Sequence, residues 1–185
     1  MPANWRQFLL TGPLLKAFNA LYFRIQKSVA SRQRVHYGRF FYPLDGIGNW
    51  NKLYGRRGFY QYQCLIPPRQ APSATEEILR QVARAGTGSC LAVLKNLGSI
   101  SSPGMLSFPR EGTTLALDFP NKRSRTFELF DRLDAIVRDA GGRLYPAKDG
   151  RMSAEMFKAG YPECSTFAAH IDPKFRSDFW KRVAA

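Results

Sequence analysis

From Phe59 onward the chain switches between two hydrophobic periods, and the order of the switches predicts a fold. Residues 59–67 alternate apolar and polar positions as a strand does, and Pro67-Pro68 ends it. Ser73, with Glu76 three residues on, has the form of a capping box and predicts a helix running to about residue 85. Gly86 and Gly88 stop it. Residues 89–96 and 113–119 read as a second and a third strand, joined by a loop rich in Gly, Ser and Pro. Ser124 is placed to cap the next helix, to about residue 140, with Phe127, Phe130, Leu133 and Val137 at helical spacing. Gly141-Gly142 ends it, residues 143–145 form a short fourth strand, and residues 153–159 and 174–183 predict terminal helices. The order strand–helix–strand–strand–helix–strand is the split βαβ plan. It predicts an α+β domain: a ferredoxin-like βαββαβ antiparallel sheet with helices on one face and the other face left free.

Upstream, residues 5–30 carry Trp5, Phe8, Leu9, Leu10, Leu14, Leu15, Phe18, Leu21, Tyr22 and Ile25, interrupted by Gly12-Pro13. From Leu14 the spacing is helical, and Arg24 and Lys27 near its end suit a helix C-terminus. Residues 31–57 predict a long irregular stretch, which in a compact domain is functional or packed on another domain. The chain thus divides into a basic linker or docking segment, 1–58, and a folded domain, 59–185.

Charge sharpens that division. The formal net charge is +14, and residues 1–58 hold ten Lys/Arg against the single acid Asp45. The first helix has two readings, a surface docked on the rest of an enzyme and a basic amphipathic segment lying on an anionic membrane. No basic recognition helix, RNP-type aromatic motif or zinc-finger spacing is present, so nucleic acid is not an expected partner. Cys64, Cys90 and Cys164 are odd in number and widely spaced, which disfavours metal or disulfide chemistry and suits a reducing, cytoplasmic setting. No apolar run of about 18 residues predicts a membrane span, and Lys16, Arg24 and Lys27 break the pattern of a signal peptide. The expected location is cytoplasmic, with peripheral attachment to the inner face of the membrane as the extension of the second reading.

Candidate chemistry lies on the sheet. Side chains alternate across a strand, so Gln61 and Gln63 share one face while Tyr62 and Cys64 take the other. With aligned faces, Gln61, Gln63, Lys95 and Thr114 form one polar patch able to donate to and accept from several hydroxyls, as a sugar or sugar lactone requires. A solvated sheet face mixes the same residue types, and patterning leaves both readings open. Lys148 follows the last strand and a Pro-Ala turn, with Asp149 beside it. It is either an electrostatic stabiliser of a developing negative charge or half of a surface ion pair. His36 and His170 have no triad-like neighbours, and no G-x-G-x-x-G or phosphate-loop signature occurs.

Seven short motifs in order add a resemblance. They are residues 41–45, Trp50-Asn51, Tyr54-Gly55, Gln61-Tyr62-Gln63, residues 117–120, Gly141-Gly142-Arg143-Leu144-Tyr145 and Ala147-Lys148-Asp149. Together they resemble the C-terminal half of FAD-linked oxidases of the vanillyl-alcohol oxidase superfamily, nearest the decaprenylphosphoryl-ribose oxidase and aldonolactone (arabinono-1,4-lactone) oxidase branch. The resemblance implies a substrate-binding cap over an FAD held mainly by a domain outside this chain. It implies hydride transfer from a sugar or sugar-lactone CH–OH group to that flavin. By motif, Gln61, Gln63 and Lys95 would face substrate, Tyr145 would border substrate and flavin, and Lys148 would be catalytic at the pyrimidine end of the flavin. At the positions of Thr114 and Ala116 the decaprenylphosphoryl-ribose oxidases carry Asn and Cys. The expected partners are therefore an FAD-binding domain, a sugar-type substrate and an anionic membrane surface. The competing expectation is a non-catalytic basic module that binds a membrane or a partner domain.

Overall fold

A computed structural model describes residues 12–28, 34–42, 48, 56–86, 91–148 and 150–184. Its elements are α1 (Gly12–Ser28), α2 (Tyr37–Phe41), β1 (Phe59–Ile66), α3 (Ala71–Arg84), β2 (Ala92–Leu97), β3 (Gly112–Pro120), α4 (Ser124–Asp139), β4 (Arg143–Leu144), a 3-10 turn (Pro146–Lys148), α5 (Ala154–Gly160), α6 (Cys164–Ala168) and α7 (Asp178–Val183). The four strands form one sheet in the order β2-β3-β1-β4, every pair antiparallel. This is the expected α+β, βαββαβ arrangement.

The core explains the order. Tyr62, Cys64 and Ile66 of β1 and Leu115, Leu117 and Phe119 of β3 point to one face. There they meet Ile78 and Val82 of α3 and Leu129, Phe130, Leu133 and Val137 of α4. Each helix contributes one apolar stripe at 3.6-residue spacing, and burying a side chain of this size is worth about 1.5–3 kcal/mol. Phe130 anchors the aromatic part, its ring centre 5.1 Å from that of Tyr62 and 5.3 Å from that of Phe119. Beyond β4, Phe157 and Tyr161 extend the same core, and Trp180 meets Phe157 edge-on.

Helix boundaries differ from the sequence expectation at both capping sites. Ser73 lies inside the first turn of α3, where its hydroxyl donates to Gln70 O at 3.2 Å. A turn accepting at Pro67 O from Gln70 and Ala71 N–H leads directly into the helix, and Pro72 lacks an N–H to cap. Glu76 instead pairs with Arg80 at 2.7 Å. Ser124 is the first residue of α4, and the cap position is held by Arg123 at φ 57°. Thr126 does the local bonding, accepting from Lys122 N–H at 2.9 Å and donating to Pro120 O at 3.0 Å. The end of α4 matches expectation. Gly141 at φ 66° lets its own N–H reach Arg138 O and Gly142 N–H reach Val137 O, the paired bonds of a Schellman stop.

Smaller differences follow from local bonds. The stretch expected to be irregular contains α2, capped by His36 Nδ1 accepting from Gly38 N–H. Residues 174–177 stay outside the last helix because Asp172 turns the chain by accepting from Lys174 N–H at 2.7 Å. Ser177 then caps α7. Cys90, Gly88, Asp149 and the motifs at residues 43–45 and 50–55 lie outside the described residues.

Candidate functional site

Register settles how the polar positions align. Gln61 faces Asp118, Gln63 faces Ala116, and Thr114 lies between Leu65 of β1 and Lys95 of β2. All belong to the sheet face opposite α3 and α4, so strand alternation places Gln61, Gln63, Lys95 and Thr114 together there. Gln61 Nε2 donates to Asp118 Oδ1 at 3.0 Å, and its amide oxygen, an acceptor, has no hydrogen bond among the described residues. Gln63 Nε2 donates to Thr114 Oγ1 at 3.2 Å, and that hydroxyl donates to Cys64 O at 2.8 Å. Thr114 is buried with its hydroxyl committed inside the protein, so it orients Gln63.

A cleft opens where β4, only two residues long, stops covering β1. Gln61, Gln63, Tyr145, Lys148 and Arg151 line it together with Tyr60, Tyr62 and Phe130. Its cavity is about 30 Å³, too small for a sugar ring. Four of the six expected site residues meet here. Lys95 is exposed on the edge strand outside this cleft, and Thr114 touches it only through Gln63. Tyr145 is positioned twice, by its N–H donating to Gln63 O at 2.9 Å and by its ring stacked 4.5 Å from buried Phe108. Lys148 N–H closes the 3-10 turn on Tyr145 O, and its exposed ammonium forms no ion pair among the described residues.

Behind the cleft lies a polar network that strand and helix patterning did not reveal. Tyr62 Oη donates to Asp134 Oδ1 at 3.0 Å, and Arg151 donates to Asp134 Oδ2 at 2.9 Å. A second Arg151 nitrogen reaches Asp131 at 3.0 Å, and its guanidinium lies 5.3 Å from the centre of the Phe130 ring. Burial raises the Asp134 pKa above the usual carboxylate value, against the opposing pull of Arg151 and the Tyr62 hydroxyl. Burial raises the Tyr62 pKa as well, and the Asp134 charge adds to it. Three residues after Lys148, Arg151 therefore ties the site segment to α4 and β1. The available signal was Asp131 and Asp134 at i,i+3 spacing, which by itself reads as a solvated helix face.

Cys64 is fully buried, and burial pushes its thiol up to about 12, so it offers no thiolate at neutral pH. Among the described residues no group of three or more His, Cys, Asp or Glu side chains is placed to hold a metal ion. No described helix is long and apolar enough to cross a membrane.

Against known proteins, the chain is 38% identical over 164 residues, 85% of its length, to decaprenylphosphoryl-β-D-ribose oxidase of Mycolicibacterium smegmatis. It is 34% identical over 131 residues, 68% of its length, to an uncharacterized protein in the mprA 5′ region of Streptomyces coelicolor. The chain spans about a third of the length of these curated relatives, 35% of each. No family model matches it.

Proposed function

Over most of its own length this chain belongs to the FAD-linked oxidoreductases that include decaprenylphosphoryl-β-D-ribose oxidase, and we propose that it forms their substrate-facing cap. The proposed reaction is hydride transfer from a CH–OH group of a sugar or sugar lactone to flavin, with FAD held mainly by a separate domain. The convergence of Gln61, Gln63, Tyr145 and Lys148 on one cleft carries this reading. A flavin bound there would supply the hydride acceptor.

The residues present fit such a group. The Lys148 ammonium is exposed and forms no ion pair among the described residues, as needed to stabilise negative charge arriving beside it. Gln61, with its amide nitrogen committed to Asp118, presents an acceptor to a substrate hydroxyl. Gln63 is oriented by Thr114, and Tyr145 by Phe108. The small volume of the cleft supports a half-site whose remaining walls come from the flavin-bearing domain.

The test is reconstitution with a separately produced FAD-binding domain of a relative, following flavin reduction by absorbance in a stopped-flow instrument. Lys148→Ala should slow reduction at least tenfold, about 1.4 kcal/mol. An unchanged rate removes Lys148 from the chemistry. No reduction by any sugar alcohol or lactone defeats the enzyme reading.

One observation favours a second role alongside the first. Helix α1 exposes Phe18, Leu21, Tyr22, Phe23 and Ile25, each at least half accessible, beside Lys16, Arg24 and Lys27. Apolar side chains with flanking cations suit an anionic membrane surface, which would bring the cap to a lipid-borne substrate.

A further inference from the structure

Two cations line the Gln61–Lys148 cleft, and they are held differently. The Lys148 ammonium is exposed and forms no ion pair among the described residues. The Arg151 side chain is mostly buried and bridges two carboxylates of α4. Its Nη1 reaches Asp131 Oδ1 at 3.0 Å, and its Nη2 reaches Asp134 Oδ2 at 2.9 Å. Asp131 and Asp134 stand three residues apart and so share one helix face. With the Phe130 ring centre 5.3 Å from its Cζ, the guanidinium is fixed in position and in plane. A lysine ammonium could not span both carboxylates in this way.

Only a short piece of chain separates the two cations, so what fixes one limits the other. On the near side, Tyr145 N–H donates to Gln63 O at 2.9 Å and Lys148 N–H donates to Tyr145 O at 3.0 Å. On the far side, Met152 is buried, and its carbonyl accepts from Arg182 Nε at 3.2 Å. Between them Gly150 runs against the Tyr60 ring, where an added Cβ would stand 3.1 Å from two ring carbons. The 3-10 turn buries none of its own residues. Arg151 is the first described side chain past that turn with a hydrogen bond to another element. Its charge is offset by two carboxylates, which leaves Lys148 as the uncompensated cation at the cleft. Displacing a charge-stabilising group by about 1 Å can cost on the order of a hundredfold in rate.

We propose that Arg151 is a positioning residue of this site, clamping the turn to α4 so that the Lys148 ammonium is aimed at the flavin. The inference rests on the cap reading above and deepens it. Arg151 acts through Lys148 and needs no contact of its own with flavin or substrate.

Two measurements on Arg151→Lys test this, since the variant keeps a charge beside Asp134 but loses the two-pronged reach. The first is amide hydrogen exchange of the full chain by NMR, with no flavin present. Exchange at Tyr145 and Lys148 should quicken at least about tenfold, while Gly142 N–H, bonded to Val137 O, stays within about twofold. The second is sulfite titration of the complex reconstituted with a relative's FAD-binding domain, followed by loss of flavin absorbance. Sulfite addition leaves negative charge on the flavin, as reduction does, and requires no knowledge of the substrate. Lys148→Ala and Arg151→Lys should each weaken sulfite binding at least about fivefold, and the double variant should be no more than about twofold weaker than Lys148→Ala alone. Losses that multiply in the double variant, or exchange that quickens equally at Gly142, make Arg151 a general structural residue and overturn the inference. Sulfite binding that Lys148→Ala weakens and Arg151→Lys does not overturns it for Arg151 alone. A complex that holds no flavin defeats the cap reading, and binding that Lys148→Ala leaves unchanged defeats the role of Lys148; the inference falls with either. Should Arg151→Lys fail to fold, Asp131→Ala, an exposed change that removes one partner of the fork, takes its place with at least about a twofold effect required in both measurements.

Discussion

Replacing Tyr62 with phenylalanine removes one hydroxyl and probes the network beneath the proposed site. That hydroxyl donates at 3.0 Å to Asp134, a mostly buried carboxylate whose second oxygen is taken by Arg151. A hydrogen bond to a charged group is worth about 1.5–3 kcal/mol, and the ring itself keeps its contact with Phe130. Urea unfolding at neutral pH should therefore show a loss of about 1.5–3 kcal/mol with an unchanged m-value. In a domain of this size that lowers the midpoint temperature by about 3–12 °C. The loss should shrink in acid. The folded-state pKa of Asp134 is raised, so its contribution to stability is fully present below the unfolded carboxyl value, about 3.9, and is lost as pH rises through the folded value. Below that folded value the Tyr62 bond has a neutral partner, and removing it costs about 1 kcal/mol. Tyr60→Phe is the control, since the Tyr60 ring packs on Phe127 and Phe130 while its hydroxyl has no hydrogen bond among the described residues. A Tyr62→Phe loss below about 0.5 kcal/mol at neutral pH, the range of an ordinary surface change, would refute the network's role.

Two further outcomes are expected. Gly112→Ala should destabilise by at least about 2 kcal/mol in the same urea assay. Its φ is 150°, and an added Cβ would stand 2.3 Å from Ile66 O, whereas the open position Gly98 should tolerate the same change. Vesicles containing anionic lipid should co-sediment with the full chain, less so at high salt, and deleting residues 1–30 should abolish it. Co-sedimentation that survives the deletion removes α1 from membrane binding.

The element order was legible because each segment keeps one period. Phe127, Phe130, Leu133 and Val137 repeat as a helix, and Gln61-Tyr62-Gln63-Cys64 alternates as a strand. The caps were not legible. Ser73 and Ser124 have the right chemistry, but a turn at Pro67 and a left-handed Arg123 start the helices elsewhere. The shared face of Gln61, Gln63, Lys95 and Thr114 followed from alternation, whereas register alone decides that the Thr114 hydroxyl is spent between Gln63 and Cys64 O. Arg151 and Asp134 meet across 17 residues and two elements, and no local pattern records such a pair.

The central position of β1 has a cost in time. It leaves the ribosome before its neighbours, and the bond from Gln61 to Asp118 spans 57 residues. At synthesis rates of about 5–20 residues per second, β1 waits on the order of 3–11 seconds for β3, and longer for β4. Through that interval Cys64 and Ile66, both fully buried against the helices in the finished fold, have only α3 to shelter them. Chaperone demand during expression should accordingly track the delay before β3 emerges, because closing so distant a pairing is the slow step in building this sheet.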